Sequence, residues 1–335
     1  MVALSSFIMI ITSQKASANP TPENFTIVAL PDTQNYSESY PWIFENQTEW
    51  IVQNENEKNI VFVTHLGDVC NYPNIDNQWQ NADNAMSILD NKVPYGILPG
   101  NHDIESDRSA PEYEKYFPAS RYEGYSYWGG SYDSNVLPLL SLSPNMNNYQ
   151  LFSAGGMNFI ALNLQYDPPD DVLSWADNIL SKYSNRRAII STHVYIDTDG
   201  NREYAGPSIW KVLVVPHKNV FLVLCGHEFG WAERIDNLDN RIVYQLLSDY
   251  QGLDQGGDGW LRIMEFVPSE NTIHVSTYSP YLDQYWTNPA NQFDMFYPMD
   301  TTVATAGEGI SSWFYVGAVV VIVAVVAVVL ILKVV

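Results

Sequence analysis

Five short runs of apolar and β-branched residues set the terms of this fold: FTIVAL (25–30), NIVFVTHL (59–66), VPYGIL (93–98), RAIIST (187–192) and NVFLVL (219–224). A run too short for a helix yet apolar at consecutive positions has both faces buried. Strands of that kind belong to parallel sheets covered by helices. Residues 42–57, 79–89 and 172–182 carry helical spacing and supply the covers, so the chain reads as α/β. MNFIALNL (157–164) adds a sixth strand. Beyond Gly230 the pattern changes: RIVYQLLS, WLRIMEFV and TIHVSTYS succeed one another with turns and no helix between them. They predict antiparallel strands closing a second sheet. Residues 104–146, rich in Tyr, Ser, Gly and Asn, predict a long insertion over the first sheet's open end. No internal repeat is present.

A net charge of −22, from 38 acidic and 16 basic side chains, repels polyanions and excludes a basic nucleic-acid-binding surface. Two cysteines, Cys70 and Cys225, are too few for a thiolate zinc site or a disulfide scaffold. They read as buried free thiols, with a single disulfide as the alternative. Residues 1–18 end in Ala16-Ser17-Ala18, a small-x-small pattern that reads as a signal peptide lacking its basic start. Residues 313–332 form a twenty-residue run without charge; at ~1.5 Å per residue it spans about 30 Å, the depth of a bilayer core. The expectation is a cell-surface protein: an exported domain over residues 22–293, a linker over 294–312 and a C-terminal transmembrane helix. Asn24, Asn35 and Asn46 open glycosylation sequons, a motif frequent by chance.

The chemistry lies in the polar blocks at the strand ends. After FTIVAL comes Asp32-Thr33-Gln34; after VFVTHL, Gly67-Asp68; after YGILP, Gly100-Asn101-His102-Asp103; after RAIIST, His193; after FLVLC, Gly226-His227. A parallel sheet gathers such loops in one crevice. The order resembles the calcineurin-like metallophosphoesterase superfamily, whose blocks run Asp-x-His, Gly-Asp-x-x, Gly-Asn-His-Asp, a lone His and Gly-His-x-His. The resemblance covers residues 25–278. LLSDYQ, GGDGWLRIMEF and TYSP are similar to the branch whose first block is Asp-Thr-Gln.

That resemblance implies a two-sheet α/β/β/α sandwich of the metallo-dependent phosphatase type, holding two divalent ions. It assigns Asp68 as the bridging carboxylate, Asn101, His193 and His227 to the second ion, and Asp32 to the first. His102 would face the phosphate with Asp103 orienting its ring, a pairing that suits proton donation near neutral pH. Two cations can polarise a bridging water to hydroxide for attack on phosphorus. Two positions depart from the pattern: Gln34 and Phe229 stand where the family has histidines, and both belong to the first ion. The expected pair is therefore asymmetric: zinc or iron on Asp68, Asn101, His193 and His227, with manganese or magnesium held more weakly by Asp32, Gln34 and Asp68.

His65 is read as a histidine behind the site or in the core at a strand end and Glu228 as facing solvent, although either could replace a lost ligand. His217 and His274 are read as ordinary surface or strand residues. Arg234, Asp249, Tyr250 and Arg262 fall near the expected rim, with structural pairing preferred over phosphate binding. The aromatic stretch RYEGYSYWGGSY (121–132) either contacts substrate or packs on itself. Two functions suit this pattern: a metal-dependent phosphomonoesterase or phosphodiesterase acting on a phosphorylated small molecule or headgroup, or a non-catalytic surface binding module that keeps one metal.

Overall fold

The computed structural model describes residues 23–132 and 144–299. The expected signal peptide, the expected span at 313–332 and the part of the expected linker beyond residue 299 lie outside them. Among the described residues no helix is long and apolar enough to cross a membrane.

The strands are β1 (Phe25–Leu30), β2 (Ile60–His65), β3 (Tyr95–Gly96), β4 (Trp128–Ser131), β5 (Asn148–Ala154), β6 (Met157–Leu164), β7 (Arg187–Thr192), β8 (Val220–Cys225), β9 (Gly230–Leu238), β10 (Arg241–Asp249), β11 (Leu261–Val267), β12 (Thr272–Ser279), β13 (Gln284–Tyr285) and β14 (Gln292–Phe296). The helices are α1 (Gln34–Ser39), α2 (Pro41–Gln53), α3 (Asp76–Ser87), α4 (Pro111–Tyr116), α5 (Asp170–Lys182) and α6 (Gly206–Ile209). One sheet runs β13-β12-β11-β1-β2-β3 with β14 also on β12; the other runs β4-β5-β6-β7-β8-β10-β9.

Period-two alternation builds both layers of core at once. In β1, Ile27 and Ala29 face the space between the sheets, while Val28 and Leu30 face the helices. Phe62, Ile189, Leu222 and Leu224 join the inner layer, where Phe62 stacks on Phe152 across the sheets at 4.8 Å. Ile43, Phe44 and Ile51 of α2 and Trp79, Ala82 and Met86 of α3 belong to the outer layer; so do Val172, Leu173, Ala176 and Leu180 of α5. Each buried Val, Leu, Ile, Phe or Met side chain is worth about 1.5–3 kcal/mol, which explains why the central strands are apolar at successive positions.

The C-terminal strands do not close a sheet of their own. β9 and β10 form an antiparallel hairpin, but β10 runs parallel to β8 in the second sheet. β11 crosses to the first sheet and pairs antiparallel with β1, Phe25 opposite Phe266. Alternation marks a strand without naming its neighbour, so the sequence could not divide these strands between sheets. The boundary at residue 293 also moves: β14 pairs with β12, Asp294 opposite His274, and Met299 is buried.

β1, β2 and β3 are parallel, and so are β6, β7, β8 and β10. Their C-terminal ends carry the polar blocks.

Candidate metal centre

The loops that leave these strands are strained where their polar side chains begin. Asp32 (φ 41°), Asp68 (φ 50°) and His227 (φ 77°) adopt left-handed backbone, uncommon outside glycine but more accessible to aspartate and histidine than to most side chains. Glycines let the loops meet. A Cβ on Gly226 would overlap the Asp32 carboxylate, one on Gly100 the Asp68 carboxylate, and one on Gly67 would sit 2.7 Å from His193 Nδ1. In each block the glycine makes room for a ligand from another loop.

His193 Nε2 is the focus of the crevice. It lies 2.9 Å from Asn101 Oδ1, 3.2 Å from Asp68 Oδ1 and 3.2 Å from His227 Nδ1. The ligand atoms of Asp68, His193 and His227 all fall within 4.8 Å of one another. His193 Nδ1 sits 2.9 Å from the Leu66 carbonyl and must donate to it, so in the neutral ring Nε2 carries a lone pair. That lone pair faces two oxygen acceptors, an arrangement that calls for a cation or a proton between them. Burial opposes charge on His193, but the adjacent Asp68 carboxylate outweighs it and raises the pKa. Burial likewise opposes charge on Asp68, and His193 reverses the balance and lowers it. His227, pushed down to about 4 by burial and then by His193, is neutral near pH 7 and able to ligate.

The other half of the crevice is made of oxygens. Asp32 Oδ1 accepts the His227 N–H at 3.1 Å, while its Oδ2 is buried without a partner. Gln34 donates its amide to Asp68 Oδ2 at 2.9 Å, leaving its carbonyl oxygen buried and unpartnered. Buried polar atoms are nearly always bonded, so two orphaned oxygens two residues apart in the block after β1 mark a place for a hard cation. Asp249, at the end of β10, is 1% exposed and accepts hydrogen bonds from the Gln251 backbone (2.9 Å) and side chain (2.8 Å). Burial pushes it up to about 6 despite those bonds, and Asp68 adds to the push. Burial, then the charges of Asp249 and Asp68, raise Asp32 well above the usual carboxylate range. Among the described residues no lysine or arginine pairs with these three carboxylates. Both halves therefore fit divalent cations.

His102 is tied to the same carboxylate: its backbone N–H donates to Asp68 Oδ1 at 3.0 Å. Its ring orientation corrects an expectation. The Asn71 carbonyl, 2.8 Å from Nδ1, holds the imidazole, and Asp103 does not. Asp103 is buried and accepts three backbone N–H groups, from Val69 (2.9 Å), Cys70 (2.8 Å) and Gly100 (2.7 Å). A carboxylate committed to three amides braces the second loop against the third and has no geometry left for the ring. Burial and the Asp68 charge still push it up to about 7.

The remaining sequence candidates have separate fates. His65 is fully buried behind the site, Nε2 2.9 Å from Thr33 Oγ1, and burial lowers it to about 3. Glu228 Oε1 is 3.8 Å from His227 Nε2 at the edge. Phe229, 67% exposed, turns outward near Gly252. Arg234 bonds Asp236 at 2.8 Å, and buried Arg262 bonds the Tyr250 hydroxyl at 2.9 Å; both are structural. His217 is not a surface residue: it is buried, with Asp177 2.7 Å from Nε2. His274 pairs with Asp294. Cys70 and Cys225 are buried free thiols. The aromatic stretch packs on itself, Tyr122 on Trp128 at 5.2 Å and Tyr125 on Tyr127 at 5.2 Å. Its Ser126 and Tyr127 line a cleft with Ile60, at the start of β2 and away from the site.

Sequence reasoning missed Tyr166 and Tyr204, whose ring centroids each lie 5.7 Å from that of His227. Tyr166 lies just past β6, and the ends of parallel strands were the available signal. Tyr204 sits in a loop with no signal. Asn71 acts through its backbone, which no side-chain pattern reports.

Carboxylates, an amide and imidazoles meeting where parallel strands of two facing sheets end define a metal centre of the two-sheet α/β/β/α class. A model of the calcineurin-like phosphoesterase family matches residues 25–230, and the chain belongs to that family. It is 39% identical over 272 residues to the uncharacterized protein YvnB of Bacillus subtilis (strain 168), a match covering 78% of this chain. The chain spans 20% of that relative's length. Among solved structures, purple acid phosphatase PPD1 from yellow lupin seeds is similar with a TM-score of 0.51 at 12% identity, over 87% of this chain and 57% of that one. At that identity the likeness is one of fold.

Proposed function

We propose that this chain hydrolyses phosphoester bonds with two divalent cations and lies in the branch of its family that opens on Asp-Thr-Gln. The observation that carries the reading is the meeting of Asn101, Asp68 and His227 at His193 Nε2, with His102 bonded to the same Asp68. Asp68, Asn101, His193 and His227 would hold one cation, and Asp32, Asp68 and the Gln34 carbonyl the other, with Asp249 close by. Bound there, such cations neutralise phosphoryl charge and lower the pKa of water.

The chain's own groups do the rest. The Asn71 carbonyl holds the His102 Nδ1 proton, which leaves Nε2 to pass a proton to the departing oxygen. Asp103 fixes the loop carrying that ring. Monoesters and diesters both suit this arrangement. Display outside the cell belongs to the proposal and is supported by the charge-free run at 313–332; surface labelling of intact cells tests it.

Hydrolysis of p-nitrophenyl phosphate and its bis ester with added manganese tests the activity, comparing the full chain with Asp68→Asn and His102→Ala. Turnover lost in both variants is the expected result. Equal background in all three overturns it. The outward Phe229 and the Gln34 amide on Asp68 favour a second reading, a one-metal binding module without turnover. One retained metal equivalent together with no hydrolysis would establish that reading.

A further inference from the structure

Beside the imidazoles stand two tyrosines that the chemistry above does not use. Tyr166 has its ring centroid 5.7 Å from that of His227 and 6.0 Å from that of His193. Tyr204 stands edge-on to His227 at 5.7 Å and 89°, and 6.1 Å from Tyr166 at 54°. The two rings therefore form an open angle against the ligand imidazoles.

Tyr204 is an odd residue to find there on structural grounds. It is 59% exposed, so its ring contributes little to the core. Its backbone is left-handed, φ 46°, a conformation a bulky side chain adopts at a cost that glycine or asparagine would avoid. Strain spent on presenting an exposed ring beside a metal centre points to a ligand for that ring.

Tyr204 also lines a cavity of about 430 Å³ together with Arg108, Asp167, Pro168, Pro169, Asp170 and Leu173. Arg108 is committed locally. It donates to the Asp167 carbonyl at 2.6 Å, pairs with the Asp167 carboxylate at 3.5 Å, and its guanidinium lies 6.0 Å from the Tyr166 ring. Asp167 thus offsets the one cationic group lining this cavity, which leaves no surplus positive charge for a second phosphate. Asp170 adds a further negative charge, and the two prolines, Leu173 and the Tyr204 ring suit an uncharged planar group.

We infer that Tyr166 and Tyr204 form the leaving-group subsite and select phosphoesters whose leaving group carries a planar ring. This rests on the phosphoesterase reading and names its substrate class. The ring could be an aryl group bonded directly to the ester oxygen or a base carried on a sugar, and the two differ in reach from the phosphorus.

The experiment separates the subsite from the activity. Binding of phenylphosphonate and methylphosphonate, which are not phosphoesters, is measured by calorimetry on the manganese-loaded full chain and on Tyr204→Gly. Glycine suits the left-handed backbone, so this variant keeps the fold, and thermal melting verifies it. Phenylphosphonate is expected to bind about tenfold tighter than methylphosphonate to the wild type, the size of one good ring contact. In Tyr204→Gly that preference falls to near unity. Equal affinity of the two probes for the wild type, or an undiminished preference in the variant, overturns the inference whatever the enzyme hydrolyses.

Kinetics give the second readout: the ratio of kcat/KM for phenyl phosphate over glycerol 2-phosphate should collapse through KM in Tyr204→Gly. A wild type that hydrolyses neither ester yet keeps the phosphonate preference would overturn the proposed activity and leave the subsite standing. Adenosine 5′-monophosphate as a competitor assigns the source, since displacement of phenylphosphonate by it but not by ribose 5-phosphate indicates a ring carried on a sugar.

Discussion

The two halves of the metal centre meet their unshared electron pairs in opposite ways. Around His193 Nε2 the donors lie against one another, and each is held from behind: Nδ1 by the Leu66 carbonyl and Asp68 by the His102 amide. Around Asp32 and Gln34 the oxygens are buried with one lone-pair group each left over, and a third carboxylate, Asp249, adds charge with no basic partner. The nitrogen-rich half can settle its electrostatics with a shared proton. The oxygen-rich half is settled by a cation, or by protons on Asp32 and Asp249, whose pKa values burial and mutual charge raise. Where the sequence resemblance would place two imidazoles, the structure has buried oxygens of Asp32 and Gln34 and not an apolar gap.

The sharpest way to break this comparison is to remove the group that the halves share. Asp68→Asn should cost about a thousandfold in turnover, the several kcal/mol that charge neutralisation supplies, and should empty both sites in a metal assay. Retention of either ion would show that Asp68 is not shared. His102→Ala, which touches neither half as a ligand, should lose about a hundredfold in kcat with both metal equivalents kept. Metal loss in that variant would place its imidazole in the coordination shell.

Gly226→Ala drives a methyl group into the Asp32 carboxylate and should destabilise the fold by about 1–3 kcal/mol in urea, as overpacking does. It should also weaken the first ion. Asp249→Asn tests the oxygen-rich half alone: manganese affinity there should fall about tenfold, the usual cost of a changed supporting group, while the His193 ion is unaffected. Equal weakening of both ions would erase the distinction between the halves.

The smallest effect is on pH dependence. Asp249 at about 6 and Asp103 at about 7 both lie above the value of about 3.9 for an unfolded aspartate. The folded chain then binds more protons than the unfolded one between about pH 4 and 7, and stability without added metal falls as pH rises through that window. A cation beside these carboxylates offsets the loss. Manganese should therefore raise Tm by a few degrees more at pH 8 than at pH 5, read by differential scanning fluorimetry; equal gains would argue against buried acids.

Much of the site is legible in the sequence because its blocks sit at strand ends. Asp32, Asp68, Asn101, His193 and His227 converge as their order implies, since parallel strands deliver their next residues to one edge of the sheet. Asp103 misleads because adjacency in sequence suggests a carboxylate–imidazole pair. In the fold its oxygens meet amides of Val69, Cys70 and Gly100, two of them from another loop. Asp249 reads from sequence as a structural group at the rim for a similar reason: nothing near it in the chain says that β10 lies beside β8.

What the amino-acid sequence settled by itself is local. Apolar patterning marked nine strands, though not β4, β5, β9, β13 or β14, glycine set where loops can press together, and side-chain type set which groups can hold a cation. The tertiary structure alone decided the partners: β11 beside β1, the Asn71 carbonyl on His102, Asp249 near Asp32, and Tyr166 with Tyr204 against His227. The physical reason is that a residue's chemistry belongs to it alone, whereas its pKa, its hydrogen bonds and its use depend on atoms brought close from distant parts of the chain.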